Sequence, residues 1–544
     1  MLKVFTVAEM VAAEKAADAS GATTYAQMME TAGKAVADAI IERYAVKGRR
    51  VLVLVGPGNN GGDGLVAGRY LAEAGADVAF YLYKARDPEQ DENYAKVMAL
   101  GLFAVEASLD QRYRVLRTRL AITDLLVDAL LGTGVTRPIG GELAKLMQQV
   151  AKGLAVRRAD LESVTETNLF TLNRFGGKAA GDSIPMMAAP QYPATIAVDC
   201  PSGLNSDTGA LDELALPADV TVTFAGPKRG HFIFPGAAAC GELVVADIAI
   251  PPDLPEVSGV AVEVMTGDDA REMLPERPLS GHKGTFGTAL IAAGSHRYWG
   301  APVLAAKAAY RVGAGLVALA VPEAIRATIA GQIPEATYPV VPERDVFGRD
   351  SVAVLRDTKS DALLFGPGMD AATEFVLSLL AEKEALPPLI VDADGLNVLA
   401  QIDDWPALLP PQTILTPHPG EMSRLMGVPL SDLKEMDRVT LAQEKAQAWG
   451  HVVLLKGAYT AVAAPDGRVT IIPFANPALA VGGSGDVLSG VVVGLLAQGL
   501  APYTAACLGA YLHGAAAASY PAASGLLMSE LADLLPAAMA RLRR

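Results

Sequence analysis

The sequence predicts an α/β protein made of two domains, each built on a mostly parallel β-sheet. Several apolar runs, such as residues 51–55, do not alternate with polar residues, which is typical of parallel strands buried on both faces. Most of these runs lead into a turn and then a helical stretch, and the pattern starts again near residue 266. The chain contains 53 glycines and only 6% aromatic residues, as expected for many tight strand–helix connections.

Composition and charge argue against several classes of protein. The chain has 544 residues, so two or three domains are expected, and its net charge of −15 argues against a nucleic-acid partner. No uncharged apolar run reaches the roughly 18 residues of a membrane span, and Glu14 with two other early acidic residues argues against a signal peptide. Cys200, Cys240 and Cys507 are scattered and odd in number, which predicts neither a disulfide framework nor a zinc site. We therefore expect a cytoplasmic protein with no membrane partner.

The predicted domain boundary follows the first sheet. Residues 1–252 form the first domain, 253–265 a proline-marked linker, and 266–544 the second domain. Within the first domain, residues 153–192 show no clean periodicity and are unusually long for a connection in a compact fold. We expect this insert to be a mobile flap or an oligomer contact.

The elements of the first domain follow from caps and apolar runs. Two helices are predicted within residues 6–45, the first opened by a capping box of Thr6 and Glu9. A glycine turn at 56–64 precedes a helix at 65–74. The predicted strands are 51–55, 78–83, 125–131, 195–198, 220–224 and 243–246.

The turn before the last strand of this domain is basic, with Lys228, Arg229 and His231 close together. Such a cluster is found both at anion sites and in solvated loops, since charged side chains are mostly exposed. We interpret it as a solvated loop.

The glycine turn after the first strand combines two signals. Residues 56–61 fit G-x-G-x-x-G between a strand and a helix, which alone is a weak sign of dinucleotide binding. Lys84 lies where the ribose-binding acid of a hydride-transfer domain belongs, so an ordinary NAD-dependent dehydrogenase is doubtful. Asn59, Asn60 and Asp63 add oxygen atoms that a plain phosphate-binding turn does not need, although Asn is also common at left-handed turn positions.

Polar residues also mark the ends of the other strands. Asp128 lies near the end of one strand, and Asp199 follows another, with Ser202 close behind. Because ligands collect outside the carboxyl ends of parallel strands, these groups and Asn60 are expected to converge, although each alone could be a strand-end cap. Hard oxygen ligands suit an alkali or alkaline-earth ion better than zinc. Residues 132–138 form a further glycine turn with one cation.

Three of these stretches, 55–64, 128–134 and 198–204, resemble the signatures of the NAD(P)H-hydrate epimerase domain, which has a Rossmann-like three-layer fold. The resemblance implies a potassium ion held by Asn60, Asp128 and Ser202. It makes Asp199 a candidate acid/base at the C6 centre of the hydrated nicotinamide. Together with Asp199, the residues implied to contact the hydrate are Asn59, Asn60, Gly61, Gly62, Asp63, Gly132, Thr133, Gly134, Val135, Thr136, Arg137 and Pro138.

The second domain repeats the strand–turn–helix pattern. Its predicted strands are 288–293, 316–321, 362–365, 389–391, 413–415 and 452–455. Near its end, residues 482–486 have the sequence Gly-Gly-Ser-Gly-Asp and precede an apolar helix. Uncovered backbone N–H groups at a helix N-terminus favour an anion. Asp486 could then remove a proton from a hydroxyl that attacks a bound phosphoryl group, or it could simply cap the helix.

Other strand ends of the second domain carry further polar groups. His418 lies between two prolines, which fixes its position and favours a functional role. Lys456 ends an apolar strand, where it needs either a nucleotide phosphate or a buried ion pair. Asp392 and Asp394 could hold magnesium or cap a helix. No G-x-x-x-x-G-K-[ST] motif occurs in the sequence.

These features resemble the ribokinase-like three-layer fold and, within it, the ADP-dependent NAD(P)H-hydrate dehydratases, through residues 282–284, 298–301, 416–421 and 476–490. The resemblance implies that Asp486 is catalytic, with magnesium beside the nucleotide. The residues implied to contact the hydrate are Ala301, Gly368, His418 and Asp486. The residues implied to contact ADP are Lys456, Gly457, Ala458, Tyr459, Thr460 and Gly485.

Together the two halves resemble fused NAD(P)H-hydrate repair enzymes over nearly the whole chain. Such an enzyme epimerises R and S NADHX and NADPHX and dehydrates the S form with ADP, releasing AMP and phosphate. Two alternatives remain: the second domain could be a kinase for a hydroxymethyl vitamin or a sugar, and the first a non-catalytic module. The preference for ADP or ATP stays open, and we expect a homo-oligomer.

Overall fold

The computed structural model describes residues 1–159, 173–174, 193–434 and 436–544. The chain forms two compact units, one of Leu2–Val260 and one of Met1 with Ala261–Arg544. The predicted insert lies outside the described residues, except that its first residues continue a helix and Asn173–Arg174 forms a short strand. In the described part of the chain, no helix combines the length and the apolar sequence that crossing a membrane requires.

The unit Leu2–Val260 is an alternating α/β chain. Its elements are β1 (Leu2–Lys3), α1 (Val7–Ser20), α2 (Tyr25–Arg43), β2 (Arg50–Val55), α3 (Asn59–Glu73), β3 (Asp77–Leu82), α4 (Glu92–Ala99), β4 (Phe103–Glu106), α5 (Arg114–Ile122), β5 (Leu125–Ala129), α6 (Gly141–Ala159), β6 (Asn173–Arg174), β7 (Ala194–Val198), β8 (Val220–Phe224), β9 (Glu242–Ala246) and α7 (Pro255–Ser258). The capping box of Thr6 and Glu9 opens α1 as predicted.

The strands β2 to β9 of this unit form one parallel sheet in the order β4-β3-β2-β5-β7-β8-β9-β6. Val53 and its neighbours on one face pack with α2, α3 and α4, and Leu52 and Leu54 on the other face pack with α5 and α6. The sheet is therefore buried on both sides, which explains why its strands do not alternate between apolar and polar residues. The predicted Rossmann-like three-layer architecture is confirmed.

The turn predicted at 56–64 is shorter than expected, because α3 already begins at Asn59. The glycines of this stretch serve close packing within a helix. A Cβ atom on Gly62 would lie 2.6 Å from Met29 Sδ, and one on Gly64 would lie 2.5 Å from the Ala129 side chain. Gly64 therefore lets the helix approach the sheet closely, whereas a side chain at position 62 would displace the end of Met29.

The second unit contains the remaining elements. They are β10 (Val262–Val264), α8 (Gly267–Met273), β11 (Thr288–Ala292), α9 (Gly300–Arg311), β12 (Leu316–Ala320), α10 (Glu323–Ala330), α11 (Ser351–Asp357), β13 (Ala362–Phe365), α12 (Thr373–Leu380), β14 (Leu389–Val391), α13 (Asp394–Leu399), β15 (Ile414–Leu415), α14 (Pro419–Met426), α15 (Leu430–Lys434), α16 (Arg438–Trp449), β16 (Val452–Leu455), β17 (Ala461–Ala463), β18 (Val469–Ile471), α17 (Ser484–Ala497), α18 (Pro502–Ala518) and α19 (Met528–Leu542).

Its strands lie in the order β10-β18-β17-β16-β15-β14-β13-β11-β12. The strands from β16 to β12 pair in parallel, whereas β17 pairs antiparallel with both β16 and β18. Helices α9, α17, α18 and α19 cover one face, and α11, α12 and α13 cover the other. The prediction of a second three-layer sheet is confirmed, but the short strands β10, β17 and β18 were not predicted.

Candidate active sites

Asp199 follows β7 in the first unit and pairs with a buried lysine. Its Oδ1 accepts hydrogen bonds from Lys228 Nζ at 2.5 Å and from Thr223 Oγ1 at 2.9 Å. Burial raises the pKa of Asp199, but the positive charge and hydrogen bond of Lys228 outweigh it, so the pKa is lowered. Asp199 is therefore held as a carboxylate.

The interpretation of the basic turn as a solvated loop is wrong, because Lys228 and His231 are both buried. His231 Nδ1 accepts a hydrogen bond from the Lys228 backbone N–H at 3.1 Å, and its Nε2 lies 3.3 Å from Cys200 Sγ. Burial and the charge of Lys228 lower the pKa of His231 to about 3, so its ring is neutral. A neutral ring can hold the lysine backbone without adding a second positive charge. The signal that could have identified Lys228 is its place after an apolar strand, as for Lys456.

The three predicted potassium ligands form one hydrogen-bonded cluster. Ser202 donates from Oγ to Asp128 Oδ1 at 2.7 Å and from its backbone N–H to Asp128 Oδ2 at 2.9 Å. Leu131 connects this pair to Asn60, because its carbonyl accepts from Asn60 Nδ2 at 2.9 Å and its N–H donates to Ser202 Oγ. Burial raises the pKa of Asp128 to about 6. The cluster supplies oxygen donors only, which fits a hard cation.

The predicted substrate residues fall on two segments of the first unit. Asn59 to Asp63 lie in the first turns of α3, and residues 132–138 follow β5. The segments meet at Gly132, where a Cβ atom would lie 3.2 Å from Asn60 Oδ1. In the second segment, Gly134, Thr136, Arg137 and Pro138 are exposed, while Thr133 and Val135 are half-buried.

A cavity of about 430 Å³ opens beside the first of these segments. Asn59 and Asp63 line it together with Glu14 of α1, which the sequence analysis did not consider as a site residue. The described residues that complete its wall are mostly apolar: Tyr25, Ala26, Met28, Met29, Ala32, Phe224 and Ile248. The cavity thus combines carboxyl groups with surfaces that suit a flat organic ring.

In the second unit, residues 482–486 form the N-terminus of α17, with Gly483 as N-cap at φ +92°. The backbone N–H groups of Gly482, Gly483, Gly485 and Asp486 donate no hydrogen bond within the described part of the chain. A Cβ atom on Gly485 would lie 3.4 Å from Lys456 Nζ. These free amides and the lysine ammonium therefore border the same space, which favours an anion.

The sequence analysis left two partners open for Lys456, a nucleotide phosphate or a buried ion pair. The structure shows the ion pair. Lys456 Nζ lies 2.8 Å from Asp392 Oδ1 and 3.5 Å from Glu421 Oε2. Asp392 also accepts from Thr416 Oγ1 at 2.8 Å. Burial lowers the pKa of Lys456, but the two carboxylates outweigh it and the pKa is raised. Lys456 is thus a fixed positive charge with two carboxylate partners.

Asp486 lies near this ion pair but is not its hydrogen-bonding partner. Burial and the negative charges of Asp392, Asp394 and Glu421 raise the pKa of Asp486 to about 7, although Lys456 acts in the opposite direction. A carboxylate with this pKa is a good proton acceptor at neutral pH. A helix cap would instead accept hydrogen bonds from backbone N–H groups. The Asp486 side chain accepts none in the described part of the chain.

The remaining predicted hydrate-binding residues lie on other loops of the same unit. Gly368, at φ +63°, packs against α9, since a Cβ atom there would lie 3.1 Å from Ala301 Cβ. His418 caps α14, its Nδ1 accepting from the backbone N–H groups of Gly420 and Glu421 at 2.9 and 3.2 Å. Ala301 and Gly368 are thus adjacent, while His418 is oriented by its own helix.

Asp392 and Asp394, the two carboxylates predicted to hold magnesium, each already accept a hydrogen bond. Asp392 is occupied by Lys456, and Asp394 Oδ2 accepts from the Asp370 backbone N–H at 3.0 Å. Asp394 does not cap its own helix, α13. Among the described residues, no group of three His, Cys, Asp or Glu side chains could hold a metal ion. A magnesium ion would therefore depend on phosphate oxygens for most of its ligands.

The predicted nucleotide segment, residues 456–460, is held by an arginine that the sequence analysis missed. Arg438 Nη2 donates to the carbonyl of Lys456 at 2.9 Å, and its Nη1 donates to that of Ala458 at 2.9 Å. Gly457 has φ +151°, and a Cβ atom there would lie 2.5 Å from the Arg438 guanidinium. The conformation of this segment thus depends on both a glycine and this arginine. No local sequence motif identifies Arg438.

Two family models match the chain. One is described as YjeF-related protein N-terminus and matches residues 25–230, and the other is described as NAD(P)H-hydrate dehydratase and matches residues 289–538. Together they cover parts of both units and contain Asn60, Asp199 and Asp486.

Curated relatives match the whole chain. A protein of Moorella thermoacetica named bifunctional NAD(P)H-hydrate repair enzyme is 37% identical over 98% of this chain and 95% of its own length. A protein of the same name from Thermofilum pendens is 35% identical over 100% of this chain and 97% of its own. A solved structure, described as the ADP/ATP-dependent NAD(P)H-hydrate dehydratase of Bacillus subtilis co-crystallised with ATP and Mg²⁺, is 36% identical, covers 52% of this chain and 99% of its own, and has a TM-score of 0.46.

Proposed function

The chain belongs to the bifunctional NAD(P)H-hydrate repair enzymes, and we propose that its two units perform successive steps on one damaged cofactor. NADHX and NADPHX are the hydrates formed when water adds across the C5–C6 bond of a reduced nicotinamide ring. The first unit interconverts their R and S epimers. The second unit dehydrates the S epimer to NADH or NADPH and converts ADP to AMP and phosphate.

The environment of Asp486 is the observation that carries this proposal for the second unit. With a pKa of about 7, Asp486 takes the proton of the C6 hydroxyl, whose oxygen then attacks the terminal phosphoryl group of ADP. The free amides of Gly482, Gly483 and Gly485, together with Lys456, would face that phosphoryl group and stabilise its negative charge. Phosphate then leaves C6 with the electron pair of the C6–O bond, water takes the C5 proton, and the C5–H pair forms the C5=C6 double bond of the reduced ring.

We propose that ADP contacts Lys456, Gly457, Ala458, Tyr459, Thr460 and Gly485. The hydrate contacts Ala301, Gly368, His418 and Asp486 in the same unit. Asp392 and Asp394 are the carboxylates that would complete the ligands of a magnesium ion held by the nucleotide. The ion supplies positive charge that offsets the charge on the phosphoryl oxygens.

In the first unit, we propose that the hydrate contacts residues 59–63, residues 132–138 and Asp199. Asn60, Asp128 and Ser202 would hold a potassium ion, which supplies a positive charge beside the nucleotide. The contacts of Asp199 with Lys228 and Thr223 narrow its proposed role, because a carboxylate with a lowered pKa is a weak base. Asp199 then acts as a fixed negative charge at the C6 centre.

Incubation of resolved NADHX epimers with the protein tests both activities, with chiral separation as the readout. We expect epimer exchange without nucleotide, and NADH with free phosphate only when ADP is added. Parallel reactions with ATP decide between the two nucleotides. A stable phosphorylated product would identify the second unit as a kinase instead, and absence of epimer exchange would make the first unit a non-catalytic module.

We propose a cytoplasmic location and a homo-oligomeric state for this enzyme. The described chain has three buried free cysteines, which agrees with a reducing compartment. Fractionation of cells and sedimentation of the purified protein test these two proposals. Recovery outside the cytoplasm, or sedimentation as a monomer, would contradict them.

A further inference from the structure

We propose that Glu14 and Asp63 are the proton-transfer pair of the first unit, with Asp63 donating a proton to the leaving C6 hydroxyl and Glu14 accepting one from the incoming water. This inference rests on the proposed epimerase activity and assigns the chemistry of that site. It gives a catalytic role to Glu14, which lies outside every motif that the sequence analysis identified.

The cavity beside α3 brings these two carboxyl groups together from different helices. Glu14 projects from α1 and Asp63 from α3, and both line the same space of about 430 Å³. Neither side chain has a hydrogen bond or an ion pair within the described part of the chain. Asp63 is only 8% exposed, so it is a buried, unpartnered carboxyl group that faces a cavity. Such a group is costly unless a ligand completes its contacts.

The charges around Asp63 favour its neutral form. Burial raises its pKa well above the usual value, and the negative charges of Asp199 and Glu14 act in the same direction. Lys228 and Arg86 oppose this effect without reversing it. Burial and the neighbouring carboxylates therefore favour the protonated form of Asp63, which is the form that can donate a proton.

Glu14 is the more exposed carboxyl group of the pair. Burial raises its pKa, Lys228 lowers it, and Asp199 raises it again. Asp63 is buried more deeply than Glu14, so we assign the proton to Asp63 and the negative charge to Glu14. Two neighbouring carboxyl groups in opposite protonation states form an acid and a base.

Asp199 is less suited to proton transfer than either of them. Its Oδ1 is occupied by Lys228 Nζ at 2.5 Å and Thr223 Oγ1 at 2.9 Å, so proton uptake there would break an ion pair. The Asp199–Lys228 pair instead stays charged throughout the reaction. Its carboxylate can stabilise the positive charge that develops on the ring.

The step is balanced as an exchange of water at C6. The proton of Asp63 goes to the C6 hydroxyl, the C6–O bond breaks with its electron pair on oxygen, and water leaves. The N1 lone pair forms the N1=C6 bond of a cationic ring. Water then adds to the opposite face of C6 while Glu14 takes its proton, and the N1 lone pair is restored. The proton returns from Glu14 to Asp63 through the cavity, and no oxidant or reductant is needed.

The direct test measures epimer exchange by the full chain with Asp63→Asn and Glu14→Gln. Removal of a general acid or base should lower the rate about 10²–10⁴-fold, mostly in kcat, while ADP-dependent dehydration of the S epimer is unchanged. Glu73→Gln, at the end of α3, and Lys15→Gln, next to Glu14 on α1, are matched controls that should keep the wild-type rate. Asp63→Glu and Glu14→Asp should recover part of the loss.

The pH profile separates proton transfer from a structural role. The wild-type rate should fall at low pH as Glu14 becomes protonated and at high pH as Asp63 ionises. Glu14→Gln should remove the acid limb, and Asp63→Asn should remove the alkaline limb. Rates within threefold of wild type for both variants, or a rise in KM with an unchanged pH profile, would overturn the inference. Absence of exchange by the wild-type protein would overturn the proposed epimerase function instead.

Discussion

Both units contain a buried lysine that pairs with an aspartate after a sheet strand, but the two pairs affect the predicted catalytic aspartates in opposite ways. In the first unit, Lys228 binds the predicted catalytic residue itself, Asp199. In the second unit, Lys456 binds Asp392, and the predicted catalytic residue Asp486 remains outside the pair. The same type of ion pair thus stabilises one predicted catalytic carboxylate directly and leaves the other one outside the pair.

The pKa values follow from this difference. The pKa of Asp199 is lowered, whereas that of Asp486 is raised to about 7 by its burial and by the negative charges of Asp392 and Glu421. A lysine therefore does not by itself mark a nearby aspartate as an acid or a base. The direction of the pKa shift depends on which carboxylate accepts the hydrogen bond of the lysine. The carboxylates that do not accept it are left close to uncompensated negative charge.

The largest effect that tests this comparison concerns Asp486. We expect Asp486→Asn to lower ADP-dependent dehydration about 10²–10⁴-fold, because the amide cannot accept the hydroxyl proton. Epimer exchange by the same protein should be unchanged, and it serves as the internal control. The wild-type dehydration rate should fall as pH decreases below about 7, since Asp486 must be ionised to act as a base. Near wild-type dehydration by the variant would contradict the assignment.

The next effect is on stability and concerns Lys228. Lys228→Met leaves Asp199 as an unpaired buried charge, which should destabilise the first unit by about 3–5 kcal/mol. Far-UV circular dichroism in urea follows both units, whereas tryptophan fluorescence follows the second alone, since the chain has three tryptophans and all lie within Ala261–Arg544. A shift of the circular dichroism transition without a shift in fluorescence therefore reports the first unit. Lys34→Met, which removes an exposed pair with Asp38, is the control and should cost less than about 1 kcal/mol. A loss for Lys228→Met no larger than that of the control would show that the pair is not structural.

The opposite pKa shifts also predict opposite stability effects for two Asp→Asn variants. The lowered pKa of Asp199 means that its carboxylate stabilises the folded state above the unfolded pKa of about 4, and this stability is lost as pH falls. Asp486 has a raised pKa, so the folded state binds its proton more tightly and stability falls as pH rises from about 4 to about 7.

At pH 8, Asp199→Asn should therefore destabilise the first unit, and Asp486→Asn should stabilise the second by about 1–3 kcal/mol. Urea unfolding followed by tryptophan fluorescence measures the second effect, and a circular dichroism transition that shifts without the fluorescence measures the first. The gain for Asp486→Asn should vanish below about pH 3, where the wild-type carboxyl group is neutral in both states. Destabilisation by both variants at pH 8 would mean that the contrast between the two sites does not hold.

The architecture could be predicted because long unbroken apolar strands and capped helices are local signals. The strands β8, β13, β14 and β16 lie where the sequence analysis placed them. The start of α3 could not be predicted, because its glycines at 61, 62 and 64 serve packing against α2 and the sheet. When only neighbouring residues are known, a run of glycines predicts a turn. Here the contacts with α2 and the sheet explain the glycines, and the residues are helical.

Parts of the sites escaped the sequence analysis for a related reason. Lys228 looked solvated because its partner Asp199 lies 29 residues away and is joined to it only by the sheet. Glu14 served only as evidence against a signal peptide, since nothing in α1 indicates that the helix borders a cavity. Glycine turns and strand ends give local signals in the sequence, whereas residues that other elements bring to a site give none.

The smallest expected effect concerns Arg438, which holds the proposed nucleotide-binding segment of the second unit. Arg438 belongs to neither of the two lysine pairs. Arg438→Lys should lose two or more of the hydrogen bonds to the carbonyls of Leu455, Lys456 and Ala458. Since each is worth about 0.5–1.5 kcal/mol, KM for ADP should rise roughly 10-fold with little change in kcat. Arg468→Lys, at an exposed ion pair with Asp466, is the matched control and should leave KM unchanged. If kcat fell instead while KM for ADP stayed constant, Arg438 would act on the position of Lys456 during phosphoryl transfer, and the segment would be part of the catalytic machinery as well as of nucleotide binding.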